Sequence, residues 1–491
     1  MNFREYYAFP YLAFFAKSIN IESLKPILLG FIVVYSMIKK ILSLSFVLLV
    51  LTPFIDISAE AACSAKVAPK RAISLISNCW ADSVSAPNDT IDVPRFPHRA
   101  QIDTLELATP HDATIAENAL ERGRRLMRER LESLLNDPLL TYSQLGLCVY
   151  DLTEDKMLFQ SGLKQRLRPA SSLKVITAIC AIDVLGGNFY FKTEMRSSTP
   201  LTADTLKANL YIKGVMDPLL DKDNIENFVR VLSDNEVTCW NGDLVLDRSY
   251  KDTLAAGWGW CWDDENPLLT PLLCDEKDNF AEVFAQKLLE KNIHWEGQVV
   301  EGTAPSDALV LSTQKHSLDQ VLKPAMKKSC NLSAEALFYS IAAAEGEKYA
   351  GRKEAQEQIC KIIRNKLNLD PKDTEIVDGS GLSLYNFVTP ELLIAFMRYA
   401  YQNKDIYRHL KPTLPVMGVD GTLRRRCKGE SPQNKVFAKT GSMTSISSLT
   451  GYAQGANGHM YAFVIINQGI KEGKEGRDFQ DKVCRALTRK Y

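Results

Sequence analysis

The sequence contains no C-x-x-C pair and no H-E-x-x-H motif, so the strong sequence signatures of a zinc site are missing. Its 11 cysteines among 491 residues are too sparse for a small scaffold held together by disulfides. A nucleophile elbow of the form G-x-S-x-G is also absent, which removes the main signature of an α/β-type Ser-His-Asp hydrolase. None of the six histidines lies in a suggestive motif. We therefore expect neither a metal nor another cofactor.

Net charge is absent as well, because 59 basic residues balance 59 acidic ones. Balanced charge gives no long-range attraction to phosphate backbones, so composition does not support a nucleic-acid partner. A composition with 46% apolar residues, 26 Gly and 21 Pro excludes a disordered chain and a collagen-like repeat. At about 100–200 residues per domain, the length predicts roughly two to four domains.

Residues 1–61 are predicted to be a leader that ends in an export signal. Lys39 and Lys40 precede an apolar run over 41–51, and a small-x-small pattern follows at Ala59-Glu60-Ala61. A basic start, a short apolar segment and such a site are typical of a secretory signal peptide. The run is too short for a membrane span, which needs about 20 residues. Met37 is the simplest true start. We expect an exported, periplasmic or extracytoplasmic protein with membrane contact only through this segment.

Beyond the leader, the sequence divides into a tether, a main domain and an insertion. Residues 62–112 lack sustained periodicity and contain five prolines, which predicts an extended tether. Helical periodicity at both ends of the remaining chain, with strands in hairpins, predicts an α+β domain whose sheet is covered by helices. We assign this domain to 113–192 and 308–491. Residues 193–307 mix short strands and helices, and we interpret them as an inserted domain.

A Ser-x-x-Lys pattern is the first of three motifs that carry candidate chemistry. It occurs at Ser36, Ser161, Ser171 and Ser312. Of these, only Ser171 opens a predicted helix, which places Lys174 on the same face one turn later. A serine hydroxyl is a weak nucleophile until a base takes its proton, and a lysine is that base only when neutral, which burial favours. The alternative is that Ser171 is an ordinary helix cap.

A Ser-x-Asn pattern is the second motif. It occurs at Ser18, Ser233 and Ser329. Ser329-Cys330-Asn331 precedes a predicted helix and lies 110 residues before Lys439, enough for one helical layer that leads back to the sheet. Ser233 lies at the end of a predicted helix inside the insertion, so we interpret it as a helix-terminating turn. We therefore select Ser329 and Asn331.

Lys439-Thr440-Gly441, the third motif, is unique in the sequence and follows Val436-Phe437-Ala438, which predicts a strand. A glycine in a strand lets a ligand backbone approach closely, and Lys439 and Thr440 can bind a carboxylate. The alternative is an edge strand with a solvated lysine. Because this unique motif follows the other two in the expected order of helix, helix and strand, the set favours a functional site.

The sequence resembles the D-alanyl-D-alanine carboxypeptidase/endopeptidase family, the class C low-molecular-mass penicillin-binding proteins. Beyond the three motifs, the similarity includes Arg168-Pro169-Ala170-Ser171, Asp378-Gly379-Ser380-Gly381-Leu382-Ser383 and Gly418-Val419-Asp420-Gly421-Thr422-Leu423. It extends from about residue 131 to the end of the chain. The resemblance implies a penicillin-binding/serine β-lactamase-like transpeptidase domain of α+β class, with one inserted smaller α/β domain.

The resemblance also implies an activity. The expected activity is that of a serine-type D-Ala-D-Ala carboxypeptidase and DD-endopeptidase, which acts on peptidoglycan stem peptides through an acyl-enzyme. β-Lactam antibiotics are the expected inhibitors. The implied catalytic residues are Ser171, Lys174, Ser329, Asn331 and Lys439. The implied substrate-binding residues are Thr440, Gly441 and Ser442, with Thr440 on the terminal carboxylate. Backbone N–H groups of Ser171 and Ser442 are the expected oxyanion hole.

Some features depart from the family pattern or favour rival functions. Cys330 replaces a more common Asp or Asn, Leu384 stands where many members carry Arg, and the insertion is shorter than in the best-known members.

The rival functions are a catalytically weak penicillin- or peptidoglycan-binding module and a β-lactam hydrolase. Glu132-Ser133-Leu134-Leu135-Asn136 spells the deacylation motif of class A β-lactamases, but it precedes Ser171 instead of following the Ser-x-Asn motif.

Overall fold

A computed structural model describes residues 119–264, 266–346 and 348–490. The predicted leader, signal segment and tether lie outside the described residues, as do Ser18 and Ser36. Within the described part of the chain, no helix is long and apolar enough to cross a membrane.

The described elements begin with a helix and end with one. The α-helices in chain order are α1 (Ala119–Ser133), α2 (Lys174–Leu185), α3 (Lys222–Asp234), α4 (Phe280–Glu290), α5 (Leu318–Lys323), α6 (Asn331–Ala342), α7 (Arg352–Asn365), α8 (Pro390–Gln402), α9 (Lys404–Thr413) and α10 (Gly473–Thr488). The strands are β1 (Gln144–Asp151), β2 (Lys156–Ser161), β3 (Tyr190–Ser197), β4 (Thr205–Leu206), β5 (Leu210–Lys213), β6 (Cys239–Trp240), β7 (Leu244–Asp247), β8 (His294–Trp295), β9 (Val299–Glu301), β10 (Leu309–Ser317), β11 (Val436–Met443), β12 (Ile446–Gln454) and β13 (Met460–Gln468).

The main sheet has five antiparallel strands in the order β11-β12-β13-β1-β2. In β1, every residue after the first is buried, and alternate side chains enter two different hydrophobic cores. Cys148 and Tyr150 pack into one core, whereas Leu147 and Val149 pack into the other. A strand covered on both faces has an almost continuous apolar sequence, as Leu145–Tyr150 does.

Helices cover both faces of this sheet. The core around Cys148 is completed by α2, α6 and α8, and the core around Leu147 by α1 and α10. Helix α6 is apolar around its circumference because it lies between α2 and α7 with nearly every side chain buried. The fold class is α+β, as the sequence predicted.

The chain between α2 and α5 builds two further sheets. The second sheet has the order β10-β3-β5-β7-β9, and the third has the order β4-β6-β8. Strands β3 and β10 pair antiparallel with each other, so the chain departs and returns side by side. Strands β5, β7 and β9 are parallel, and α3 and α4 pack around a separate core with Trp240, Phe228 and Phe284. Parallel strands with covering helices are the α/β arrangement that the sequence predicted here.

The rival motif positions have structural explanations of their own. Ser161 ends β2 and Ser312 lies inside β10, so neither opens a helix. Ser233 lies in the last turn of α3, where the side chain of Asn235 donates to a main-chain carbonyl and the helix ends. Glu132 is an exposed residue near the end of α1.

Candidate active site

Ser171 lies in a 3₁₀ turn, Ala170–Leu173, that leads directly into α2. Ala170 adopts a left-handed φ of 48°, which costs a residue with a side chain about 1–2 kcal/mol. Gly381, with a φ of 77°, packs so closely that a Cβ there would collide with the carbonyl oxygen of Ala170. The strained turn is therefore held by a neighbour that only glycine fits.

Lys174 is the first residue of α2, and only 1% of it is exposed. Its Nζ donates to Ser171 Oγ at 3.0 Å, to Asn331 Oδ1 at 2.8 Å and to the carbonyl oxygen of Ser380 at 2.7 Å. These three partners use all three N–H groups of a protonated lysine. Because the Ser171 hydroxyl contacts Lys174 rather than a main-chain N–H, the interpretation of Ser171 as a helix cap is wrong.

The electrostatics of Lys174 suit a base. Burial lowers the pKa of Lys174 to about 8. The charges of Glu335, Asp378 and Cys330 raise this pKa, but their effect is smaller than that of burial. A charged amine removed from water is disfavoured, so the neutral form becomes accessible near neutral pH. Once the amine has lost a proton, its lone pair faces the Ser171 hydroxyl at hydrogen-bonding distance.

A second buried lysine stands on β11. Lys439 is 0% exposed, and its Nζ donates to Ser329 Oγ at 2.8 Å and to the carbonyl oxygen of Thr440 at 2.7 Å. Burial holds the pKa of Lys439 well below its usual range, and the positive charge of Lys174 lowers it further. Ser329 has a left-handed φ of 62° and ends a π-helical turn, Pro324–Lys328. Such turns are frequent at functional sites.

Gly441 lets β11 approach the nucleophile turn. A Cβ at Gly441 would lie 2.7 Å from the carbonyl oxygen of Pro169 and 2.8 Å from the backbone nitrogen of Ser172, and closer still to Ser448 Oγ. Ser448, on β12, donates to the same Pro169 carbonyl at 2.6 Å and shares a 2.8 Å hydrogen bond with the Ser172 hydroxyl. These contacts tie the turn that carries Ser171 to the main sheet.

Thr440 and Ser442 flank this close approach. Thr440 Oγ1 donates to Thr422 Oγ1 at 2.9 Å. Ser442 is exposed and pairs with Ser447 in the β11–β12 ladder. The structure thus brings Ser171, Lys174 and Asn331 into one hydrogen-bonded group and Ser329 and Lys439 into a second.

Glu335 is a buried carboxylate that sequence analysis did not select. It lies one turn after Asn331 on α6 and accepts hydrogen bonds from the backbone N–H of Gly379, at 3.1 Å, and of Ser380, at 2.8 Å. Burial, and next the charge of Asp378, raise the pKa of Glu335 to about 8. Its signal in the sequence was the i, i+4 spacing from Asn331, which puts both side chains on one helix face.

Asp378, also missed, organises the loop that supplies the Ser380 carbonyl to Lys174. Its two oxygens accept from the backbone N–H of Gly381, at 2.8 Å, and of Ser383, at 2.7 Å. Trp260, from the segment between β7 and α4, donates its indole N–H to the same carboxylate at 2.9 Å. No group of three or more His, Cys, Asp or Glu side chains is arranged for a metal ion within the described ranges.

Comparison with known proteins identifies a family and relatives that share this sequence pattern. The chain matches the D-Ala-D-Ala carboxypeptidase 3 (S13) family over residues 127–272 and 269–490. It is 25% identical over 431 residues to the D-alanyl-D-alanine carboxypeptidase DacB of Haemophilus influenzae. That alignment covers 70% of this chain and 88% of the relative. It is 25% identical over 449 residues to the D-alanyl-D-alanine carboxypeptidase of Actinomadura sp., over 71% of this chain and 82% of that one.

The fold is similar to that of a solved structure. The crystal structure of penicillin binding protein 4 (dacB) from Haemophilus influenzae matches with a TM-score of 0.66 and 24% identity, over 73% of this chain and 98% of that chain. The same protein complexed with a β-lactam matches with a TM-score of 0.61. The penicillin-binding fold predicted from the sequence is confirmed.

Proposed function

Because the chain belongs to the D-Ala-D-Ala carboxypeptidase 3 (S13) family, we propose that it cleaves D-Ala-D-Ala-terminated peptidoglycan peptides by serine acyl transfer through Ser171. One observation carries the assignment of the residues. Lys174 is buried with its amine 3.0 Å from Ser171 Oγ and has a pKa lowered to about 8. A nucleophile beside a base that can be neutral is the minimum that this chemistry requires.

Acylation begins when neutral Lys174 takes the proton of the Ser171 hydroxyl. The oxygen attacks the carbonyl carbon of the penultimate D-Ala, and the negative charge that develops on the carbonyl oxygen is held by backbone N–H groups of Ser171 and Ser442. One such donor contributes about 10²–10³ in rate. Thr440 binds the terminal carboxylate, and Asn331 positions the peptide amide.

The leaving amine then needs a proton. Ser329 donates its hydroxyl proton to the nitrogen as the C–N bond breaks, and the proton on Lys174 replaces it. Lys439, hydrogen-bonded to Ser329 at 2.8 Å, orients that hydroxyl. D-Ala departs, and Ser171 carries the acyl group as an ester. A water molecule, deprotonated by Lys174, hydrolyses the ester and restores the serine.

Two further properties belong to this proposal. A β-lactam presents a strained carbonyl beside a carboxylate, so it acylates Ser171 in the same way. Export from the cytoplasm follows from the signal pattern that ends at Ala61, since the proposed substrate lies outside the cytoplasmic membrane.

The test uses fluorescent penicillin and a synthetic pentapeptide. Wild type is labelled and releases D-Ala, and Ser171→Ala loses both properties. Ser312→Ala is the matched control, because Ser312 begins another Ser-x-x-Lys pattern inside β10 and its loss leaves labelling intact. Labelling that persists in Ser171→Ala rejects the nucleophile. Labelling without D-Ala release supports a binding module instead of an enzyme.

A further inference from the structure

A cavity of about 590 Å³, built mainly by the inserted segment, lies outside the candidate active site. We call it the insertion cavity, and the lining residues that bear on its chemistry include Arg248, Thr253, Asp278, Glu301, Thr303 and Tyr349. Its volume is in the range of cavities that bind small molecules. None of these side chains has a part in the acyl-transfer steps proposed above.

The insertion cavity lies where two parallel strands end. Arg248 directly follows β7, and Thr303 comes two residues after the end of β9. Ligands of open α/β sheets bind beside the carboxyl ends of such strands. The buried carboxylate of Asp247 accepts from the backbone N–H of Ser249, at 3.0 Å, and of Ala304, at 2.8 Å. It therefore holds in place both loops that follow the strands.

Both cations in the wall of the insertion cavity are already paired. Arg248 donates to Asp278 at 2.7 Å and to Glu301 at 3.0 Å. Lys251, whose side chain is 0% exposed, donates to the carboxylate of Asp252 at 2.7 Å and to two main-chain carbonyl oxygens. The described lining therefore offers no free cation to an anionic ligand such as a phosphate.

Hydroxyl groups and carboxylate oxygens remain available in the insertion cavity. The hydroxyls of Thr253, Thr303 and Tyr349 belong to exposed side chains and have no hydrogen-bond partner in the part of the chain that the structure describes. Asp278 and Glu301 each keep one oxygen that accepts no hydrogen bond from these residues. Fixed acceptors, neutral donors and the exposed ring of Tyr349 suit a ligand with many hydroxyl groups and an apolar face, which is a sugar.

The position of the insertion cavity indicates which sugar it meets. Leu268 and Asp278 line it and also line the cavity that contains Ser329 and Asn331, so the two cavities share a wall. In peptidoglycan, the amino end of each stem peptide is bonded to an amino sugar of the glycan strand. Three residues separate that sugar from the penultimate D-Ala of a pentapeptide stem, at most about 11 Å of extended chain. A stem bound for cleavage therefore brings its sugar to the surroundings of the catalytic cavity.

We propose that the insertion cavity binds the N-acetylated amino sugars of the glycan strand, so that the enzyme prefers stems still attached to glycan over free peptides. The sugar hydroxyls donate to Asp278 and Glu301 and accept from Thr253 and Thr303, and the ring of Tyr349 packs against the apolar face of the sugar. No bond forms or breaks in this cavity. Sugar binding acts only by holding the stem peptide beside Ser171, which raises kcat/KM for the attached form.

This inference rests on the proposed function, and its first test compares two substrates that differ only in the sugar. The measured quantity is kcat/KM for D-Ala release from a pentapeptide linked to the disaccharide of N-acetylglucosamine and N-acetylmuramic acid, divided by kcat/KM for the free pentapeptide. Wild type gives a ratio of about ten, the size expected for a few neutral hydrogen bonds. Thr253→Val/Thr303→Val, which removes two hydroxyls, and Tyr349→Ala, which removes the ring, each lower the ratio about fivefold and leave the free pentapeptide rate unchanged.

Matched control variants separate this effect from a general loss of stability. Thr199→Val/Thr202→Val and Tyr142→Ala make the same chemical changes at exposed positions outside the insertion cavity, and they keep the wild-type ratio. A wild-type ratio near one overturns the inference. So do cavity variants that lower both rates equally, because their effect then does not depend on the sugar.

A binding measurement tests the insertion cavity without catalysis. Ser171→Ala is titrated by calorimetry with a tetramer of β-1,4-linked N-acetylglucosamine, which carries no peptide. The tetramer binds to Ser171→Ala, and adding Thr253→Val/Thr303→Val weakens its Kd at least fivefold. Equal affinity for both proteins overturns the inference, as does the absence of binding. Failure of the wild-type protein to react with penicillin instead rejects the proposed function, since binding of the tetramer does not need the nucleophile.

Discussion

The pH dependence of acylation tests the lowered pKa of Lys174. With a pKa of about 8, the neutral fraction of Lys174 is about 9% at pH 7 and about 91% at pH 9, so the acylation rate rises about tenfold and then levels off. With the ordinary value of 10.5, the fractions are about 0.03% and about 3%. The rate then rises about a hundredfold over the same interval and does not level off.

The assay is the pseudo-first-order rate of labelling by excess fluorescent penicillin, at constant ionic strength, from about pH 6 to pH 10. The spontaneous hydrolysis of the penicillin is measured at each pH and subtracted. A curve that bends near pH 8 agrees with the burial of Lys174. A rate that still rises tenfold per pH unit at pH 9 refutes it, because the lysine then titrates as if exposed to water.

Glu335→Gln moves this curve in a known direction. Glu335 has a pKa of about 8, so it is charged mainly above pH 8, and there its charge raises the pKa of Lys174. Removal of that charge lowers the pKa of Lys174, and the plateau begins at a lower pH. Glutamine keeps one side-chain oxygen, and Oε1 of Glu335 already accepts from the N–H groups of Gly379, at 3.2 Å, and Ser380, at 2.8 Å. Both N–H groups therefore keep an acceptor, and the free energy of unfolding changes little. Glu357→Gln, a change at an exposed position on α7, is the control that shifts neither quantity. A midpoint that moves upward contradicts this electrostatic explanation.

Two further predictions concern the second motif and the close contact at β11. Ser329→Ala lowers the acylation rate by about 10²–10⁴, the usual contribution of a positioned proton donor, whereas Ser233→Ala, from the rival Ser-x-Asn pattern, has no effect in the penicillin-labelling assay. An equal effect of both changes excludes Ser329 from the reaction. Gly441→Ala places a methyl group against Pro169 and Ser172, so it lowers the thermal unfolding temperature and the acylation rate together. If Gly441→Ala keeps the wild-type unfolding temperature and acylation rate, the turn and the strand can move apart without loss of stability, and the prediction is wrong.

The sequence predicted what depends on local pattern. The apolar run of β1, the helix at Lys174 and the strand at Lys439 follow from periodicity, and the order of the three motifs then selected Ser171, Ser329 and Lys439. The inserted sheet was also visible as short strands that alternate with helices. Each strand, helix and single motif is fixed by neighbours within about a dozen residues, which a single sequence displays.

What the sequence did not predict depends on contacts between distant segments. Glu335 and Asp378 are distinguished by burial and by the backbone N–H groups that they meet, and both properties appear only after α6 and the 378–383 loop pack around Lys174. The left-handed turn at Ala170 packs against Gly381, about 200 residues away in the chain. The cavity lined by Lys323, Lys328, Arg424 and Arg425 likewise combines the end of α5 and the turn after it with the segment after Asp420.

The most direct test of the central claim is to locate the covalent adduct. The protein is incubated with penicillin, and intact mass spectrometry followed by peptide mapping identifies the modified residue. The account predicts one penicilloyl group per chain, on the peptide that contains Ser171, and none on Ser171→Ala. An adduct on any other residue, or none on the wild-type protein, would contradict it.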